Sequence, residues 1–143
     1  MPFISLTRLK VRSVFYLPGF LRANEASVRQ LVVTPGYLAG KELIDKAFVF
    51  WTVTAWEDEK AMKVFRNGEA HRKAMQKLPQ WCSEAAYTHW QQDTAELPGT
   101  ALMYEKIMTE GKLTKVRFPS PGQQNKLYPV IRWTKLERPL KKK

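Results

Sequence analysis

The pair His71-Arg72 is where this chain of 143 residues comes nearest to a reactive site. His71 lies between Ala70 and Ala74 on the apolar stripe of a predicted helix, so a pocket against that stripe would receive its imidazole. A neutral imidazole takes or gives a proton near pH 7. The guanidinium of Arg72 would then hold a carboxylate or a phenolate beside it. His89, the second histidine, alternates with Tyr87 on a predicted strand. Trp51 and Trp56 fall on opposite faces of another strand, so at most one of them lines any given cavity. Trp51, Trp56 and His89 are the expected substrate-binding wall, with His71 and Arg72 as the catalytic pair. The plainer reading competes with each of these. Helix histidines commonly bond a backbone carbonyl, strand histidines sit at sheet surfaces, and tryptophans pack.

Other chemistry is poorly represented. Cys82 follows Trp81 at a strand start and reads as a small buried hydrophobe rather than a nucleophile. His71, His89 and Cys82 do not have a zinc spacing, and zinc takes four protein ligands or three plus water. No metal site is expected. The chain has no phosphate-binding glycine loop, dinucleotide fingerprint or nucleophile elbow, so no cofactor is expected either.

The elements that would position these residues follow from the spacing of apolar side chains. Phe3 to Val11 alternates as a half-buried strand. A helix is predicted from about Tyr16, with Pro18 in its first turn and Thr34-Pro35-Gly36 at its stop. Tyr37 to Leu43 is a second strand weakened by glycine, and Asp45-Lys46 turns the chain. Ala47 to Trp56 is the strongest strand, β-branched and aromatic throughout and apolar on both faces. Glu57, Asp58 and Glu59 then supply the acidic first turn of a short helix whose inner face is Ala61, Met62 and Phe65. Asn67-Gly68 interrupts it, a second helix carries His71, Ala74, Met75 and Leu78, and Pro79 is expected to close it. Ser83 to Gln91 is the fourth strand. This β-α-β-β-α-β order predicts a ferredoxin-like α+β domain over residues 1–95. Residues 96–143 read as an extension: a helix over 101–110, a brief strand over 113–118, a break at Pro119-Ser120-Pro121-Gly122, and a segment that docks back through Tyr128, Ile131 and Trp133.

Size and charge bound the rest. The length fits one domain, and a strand that is apolar on both faces needs helices on one side and a second cover on the other. No apolar run approaches the roughly 20 residues of a membrane helix. The N-terminus lacks a signal-peptide core and the single cysteine fits a reducing setting, so a cytoplasmic location is expected. The net charge of +11 is unevenly placed: residues 100–143 hold 11 basic and 3 acidic side chains, whereas residues 46–99 hold 7 of each. A basic arm of that kind binds anionic surfaces or is simply solvated. No nucleic-acid module is present, and nucleic acid is not an expected partner.

The run from Trp56-Glu57-Asp58-Glu59 through Ala61, Phe65 and Gly68-Glu69-Ala70-His71-Arg72 to Ala74-Met75 resembles the antibiotic-biosynthesis-monooxygenase-like group. The resemblance covers roughly residues 1–92, and the longer tail after Asp93 sets the chain apart as a separate subfamily. It implies a dimeric α+β barrel, in which two ferredoxin-like sheets face each other, and a homodimer as the partner. It also implies a small apolar or aromatic ligand, because the group includes cofactor-free oxygenases of polyaromatic compounds, haem-degrading enzymes, isomerases and dehydratases. Thr7, Phe65 and Met75 match the positions where the haem-degrading branch uses asparagine, tryptophan and a haem-ligating histidine. None of those three types stands here, which disfavours haem, although His71 lies one turn before Met75. The expected function is a monooxygenase-like oxidoreductase activity without cofactor. The alternatives are a non-catalytic dimeric ligand-binding or regulatory protein, and a binder of anionic surfaces through the tail.

Overall fold

The computed structural model describes residues 1–143. Its elements in order are β1 (Phe3–Val11), α1 (Leu17–Leu31), β2 (Tyr37–Asp45), β3 (Val49–Trp56), α2 (Glu59–Arg66), α3 (Glu69–Trp81), β4 (Cys82–Gln91), α4 (Thr100–Glu110), β5 (Lys112–Leu113), α5 (Pro121–Asn125) and β6 (Glu137–Pro139). The sheet is antiparallel throughout and runs β5-β4-β1-β3-β2-β6. Its four long strands and the helices between them form the ferredoxin-like α+β unit expected from the sequence.

The alternation of side chains along the central strands divides the molecule into two cores. On one face, Phe3, Phe50 and Trp56 turn towards α1, α2 and α3 and pack with Leu31, Met62 and Leu78 in two neighbouring clusters. On the other face, Ile4, Leu6, Trp51, Val53 and Ala55 are wholly buried. The chain's own extension covers them, through Met103 and Ile107 of α4 and through Tyr128. The second cover that the doubly apolar β3 demands, expected from a partner sheet, is thus met within the chain.

Polar groups pin the extension in place. Arg8, 1% exposed, pairs with Glu84 at 2.6 Å and lies 3.8 Å over the ring of Tyr128. The other carboxylate oxygen of Glu84 accepts from Ser120 Oγ at 2.7 Å. Gln123 uses both ends of its amide on the backbone of Ala85, as an extra strand would. Asp45 accepts from the backbone N–H groups of Arg132 and Trp133. Docking therefore uses Tyr128 and Ile131 as apolar anchors, while the Trp133 side chain stays about half exposed at 46%.

Several local expectations are corrected. Ala47 and Phe48 are not strand residues: both have positive φ, 68° and 62°, and they make the turn into β3. Pro79 does not close α3, which runs two residues further to Trp81. Near a helix end the missing proline N–H forfeits one bond, and the Cys82 N–H still reaches the Leu78 carbonyl. The strand over 113–118 shrinks to Lys112–Leu113; beyond it only isolated backbone bonds reach β4, from Thr114 N–H to the Ala85 carbonyl and from Ser120 N–H to the Ser83 carbonyl. Ser120 caps the short α5, which starts within the expected break at Pro119-Ser120-Pro121-Gly122. β6, unforeseen, pairs with the β2 edge and brings Leu140 onto Trp56 and Tyr37.

Because Ile107 is wholly buried against the sheet, Ile107→Ala is expected to cost about 2–5 kcal/mol of stability. A urea midpoint equal to that of the unaltered protein would show that α4 is not part of the core.

Candidate functional site

Between the helices and the sheet lies a cavity of about 470 Å³. Its floor is set by strand register. In one row across the sheet, His89 of β4, Ser5 of β1 and Thr54 of β3 are neighbours; in the next row they are Tyr87, Thr7 and Thr52. The floor is therefore hydroxyl-bearing, within walls formed by Phe20, Leu31, Met62, Phe65, Leu78 and Trp81. A mostly apolar cavity with a few convergent polar groups is what small-molecule sites have in common.

The helical wall depends on Gln30 of α1. Its Nε2 donates to the Phe65 carbonyl at the end of α2, and its Oε1 accepts from the N–H groups of Ala70 and His71 at the start of α3. One side chain thus caps the broken helix on both sides of the break. The approach is so close that a Cβ at Gly68 would lie 1.7 Å from Gln30 Nε2, so a larger residue there would displace the Gln30 amide from its caps. Asp58 caps α2, its Oδ1 accepting from the Ala61 N–H at 2.8 Å.

These caps fix His71. It lines the cavity, its ring 4.8 Å from that of Phe65, and Nδ1 donates to the backbone carbonyl of Arg66 at 3.2 Å. A carbonyl can only accept, so the neutral ring carries its proton on Nδ1 and leaves the Nε2 lone pair available. Burial lowers the pKa of His71 below its ordinary 6.5, partly opposed by that backbone bond, so the ring is neutral at pH 7. His89 lines the cavity from the floor, between Phe3 and Tyr87. Burial lowers its pKa as well; Glu59 opposes this, while Arg66, Lys112 and Lys63 push the same way.

Of the remaining expected residues, Trp56 lines the cavity, with its indole N–H on Thr54 Oγ1 at 2.9 Å. Trp51 does not. It is buried on the opposite face, beneath α4 and beside Arg8. Arg72 does not line the cavity either, because on α3 it lies about 100° round from His71 and is exposed beside Glu69 and Lys73. Arg66, the last residue of α2, stands at the cavity instead. Sequence reading missed it because the break at Asn67-Gly68 folds the end of α2 back towards His71. It also missed the hydroxyl floor, although small hydroxyl residues on the inner faces of two adjoining strands were a legible signal. Ser27 Oγ of α1, buried and without a hydrogen-bond partner, is another polar group beside the cavity.

Cys82 is wholly buried and its thiol is pushed up to about 12, which excludes a thiolate nucleophile near neutral pH. No group of three or more His, Cys, Asp or Glu side chains converges as a metal site would require. No helix is long and apolar enough to cross a membrane.

No protein-family model matches the chain, and no curated protein matches it. Solved structures do. A conserved protein from Methanosarcina mazei Go1 superposes with a TM-score of 0.58 at 8% identity, over 65% of this chain and 94% of that one. SnoaB, a cofactor-independent oxygenase from Streptomyces nogalater, superposes with 0.56 at 13% identity, over 68% of this chain and 98% of its own. An antibiotic biosynthesis monooxygenase superposes with 0.57 at 12% identity, over 64% and 99%. Identities this low speak to architecture alone. The chain shares the α+β fold of these structures, among them a solved antibiotic biosynthesis monooxygenase.

Proposed function

We propose that the chain takes a mostly apolar small molecule between its sheet and helices and that His71 exchanges a proton with it. The observation that carries this reading is the position of His71: in the wall of the cavity, neutral, with Nδ1 committed to the Arg66 carbonyl and Nε2 unprotonated. That arrangement serves a general base, which needs a defined tautomer and a free nitrogen lone pair. Phe65 and Leu78 place apolar surface beside it.

SnoaB is a cofactor-independent oxygenase, and a base in a mostly apolar cavity fits a reaction of that class. Haem fits less well. The cavity has the volume of about 15 water molecules, at about 30 Å³ each, which is small for a haem. Thr7, Phe65 and Met75 do converge on it, but as a hydroxyl, a phenyl ring and a thioether. A homodimer, if formed, would use a surface other than the sheet face that the extension covers.

Against a purely ligand-binding protein, the test is His71→Gln. With a tricyclic aromatic ketone bearing an acidic C–H as probe, the unaltered protein is expected to catalyse exchange of that hydrogen in heavy water. The variant should lose about 10²-fold or more of the exchange rate while binding the probe almost as well. Equal exchange rates would remove His71 from any acid–base role.

A pH effect follows from the same burial. His71 and His89 both have folded pKa values below 6.5, so the unfolded chain binds more protons at mildly acidic pH. Their contribution to stability is fully present above the unfolded value, near 6.5, and is lost as the pH falls through the lowered folded values. The urea midpoint should drop between about pH 7.5 and about pH 5.5, and His71→Gln should shrink that drop. A midpoint that rises on acidification would contradict the buried, neutral placement of the rings.

A further inference from the structure

The charges round the cavity are arranged in a way that the proton-transfer reading does not explain. Arg66 and Lys112 both line the cavity, on the side where His89 and Tyr87 form the floor. Both make no ion pair and no side-chain hydrogen bond within the protein, although each is a long cation at the rim of an apolar space. Their carboxylate neighbours are engaged elsewhere. Glu59 pairs with Lys63 at 2.9 Å, Glu69 with Lys73 at 2.9 Å and Glu110 with Lys106 at 2.8 Å, each one turn along its own helix. Glu110 also reaches the small side depression shared by Tyr87, His89 and Lys112, but as the partner of Lys106.

The opposite end of the cavity has the other character. The floor row Tyr87, Thr7, Thr52 continues across the sheet to Glu42 of β2, which is 4% exposed. Glu42 accepts from Asn24 Nδ2 at 2.7 Å and lies 3.4 Å from Arg138 Nη2, and Asn24 lines the cavity at that end. An apolar body lying along the row therefore has uncommitted cations at one end and a carboxyl already partnered by Asn24 and Arg138 at the other. Free positive charge at one end alone favours an anionic head there.

We propose that the natural ligand carries a carboxylate, held at the rim by Arg66 and Lys112, with its apolar body running inward over Ser5, Thr7, Thr52 and Thr54. The assignment rests on the cavity being the ligand site and narrows it to a chemical class: an apolar or aromatic carboxylic acid small enough for about 470 Å³. Arginine presents a planar fork that matches a carboxylate, and lysine adds a point charge. Both side chains are exposed, so replacing them removes charge without opening the core. The Arg66 carbonyl that holds His71 belongs to the backbone and survives the substitution.

The test compares two probes of one shape, 2-naphthoate and 2-naphthamide, which differ in charge at the head. Calorimetric titration of the unaltered protein at low salt should show the acid binding about tenfold more tightly than the amide. Added salt should weaken the acid and leave the amide unchanged. In the double variant Arg66→Met, Lys112→Met the acid should fall to the affinity of the amide, and the amide should bind as before. Equal affinities in the unaltered protein would overturn the carboxylate assignment while leaving the cavity as a ligand site. A preference for the acid that persists in the double variant would overturn the role of these two residues. Failure of both probes to bind would remove the cavity reading and the assignment together.

Discussion

Everything in this fold answers to one constraint, the burial of β3 on both of its faces. Trp51 and Trp56 project in opposite directions from the same strand, and each is wholly shielded from solvent. Burying a side chain of that size stabilises by a few kcal/mol, so leaving either face open would forfeit a large part of a domain's net stability. Helices α1 and α2, with Leu140, shield Trp56. A four-stranded sheet with helices on one side has nothing left for Trp51, and the segment after Asp93 supplies it.

The extension does more than add apolar area. A buried arginine on the covered face would be costly unpaired, because a charge removed from water loses several kcal/mol of hydration. Arg8 is offset by the Glu84 carboxylate and by the π-face of Tyr128, and Glu84 is completed by Ser120. Two of these four residues belong to the extension. The polar cluster is satisfied only when Tyr128 and Ser120 are in place, which fixes where the extension sits rather than merely that it adheres. The Nε of Arg8 remains without a partner, so the cluster favours one register over maximal satisfaction. With that face closed, the cavity is left to the helical face, where the floor is polar and the wall is held by a single glutamine.

The fold was largely legible because its signals are local. Alternation marked β1, β3 and β4, acidic residues marked the start of α2, and Asn67-Gly68 marked the break before α3. What escaped depends on partners distant in sequence. Ala47 and Phe48 look like strand by residue type, yet the chain must reverse there to pair β2 with β3. β6 is three residues with no pattern of its own, defined only by the edge it joins. The site was half legible. Periodicity brought His71, His89 and Trp56 to one cavity and gave warning that Trp51 and Trp56 could not share it. Arg72 followed from adjacency to His71, but adjacency on a helix is about 100° of rotation, and the arginine at the cavity is Arg66, five residues before His71 and across a helix break.

The central claim is a division of labour between the faces of one strand: a core closed by the extension on one side, a ligand cavity on the other. The indole N–H signals of the five tryptophans report on it directly. In a 15N–1H spectrum recorded while a cavity-sized aromatic probe is titrated, the signals of Trp56 and Trp81 should move together with the probe's occupancy. That of Trp51 should stay where it is. A Trp51 signal that shifts with the same binding curve, or a Trp56 signal that does not shift at all, would contradict the account.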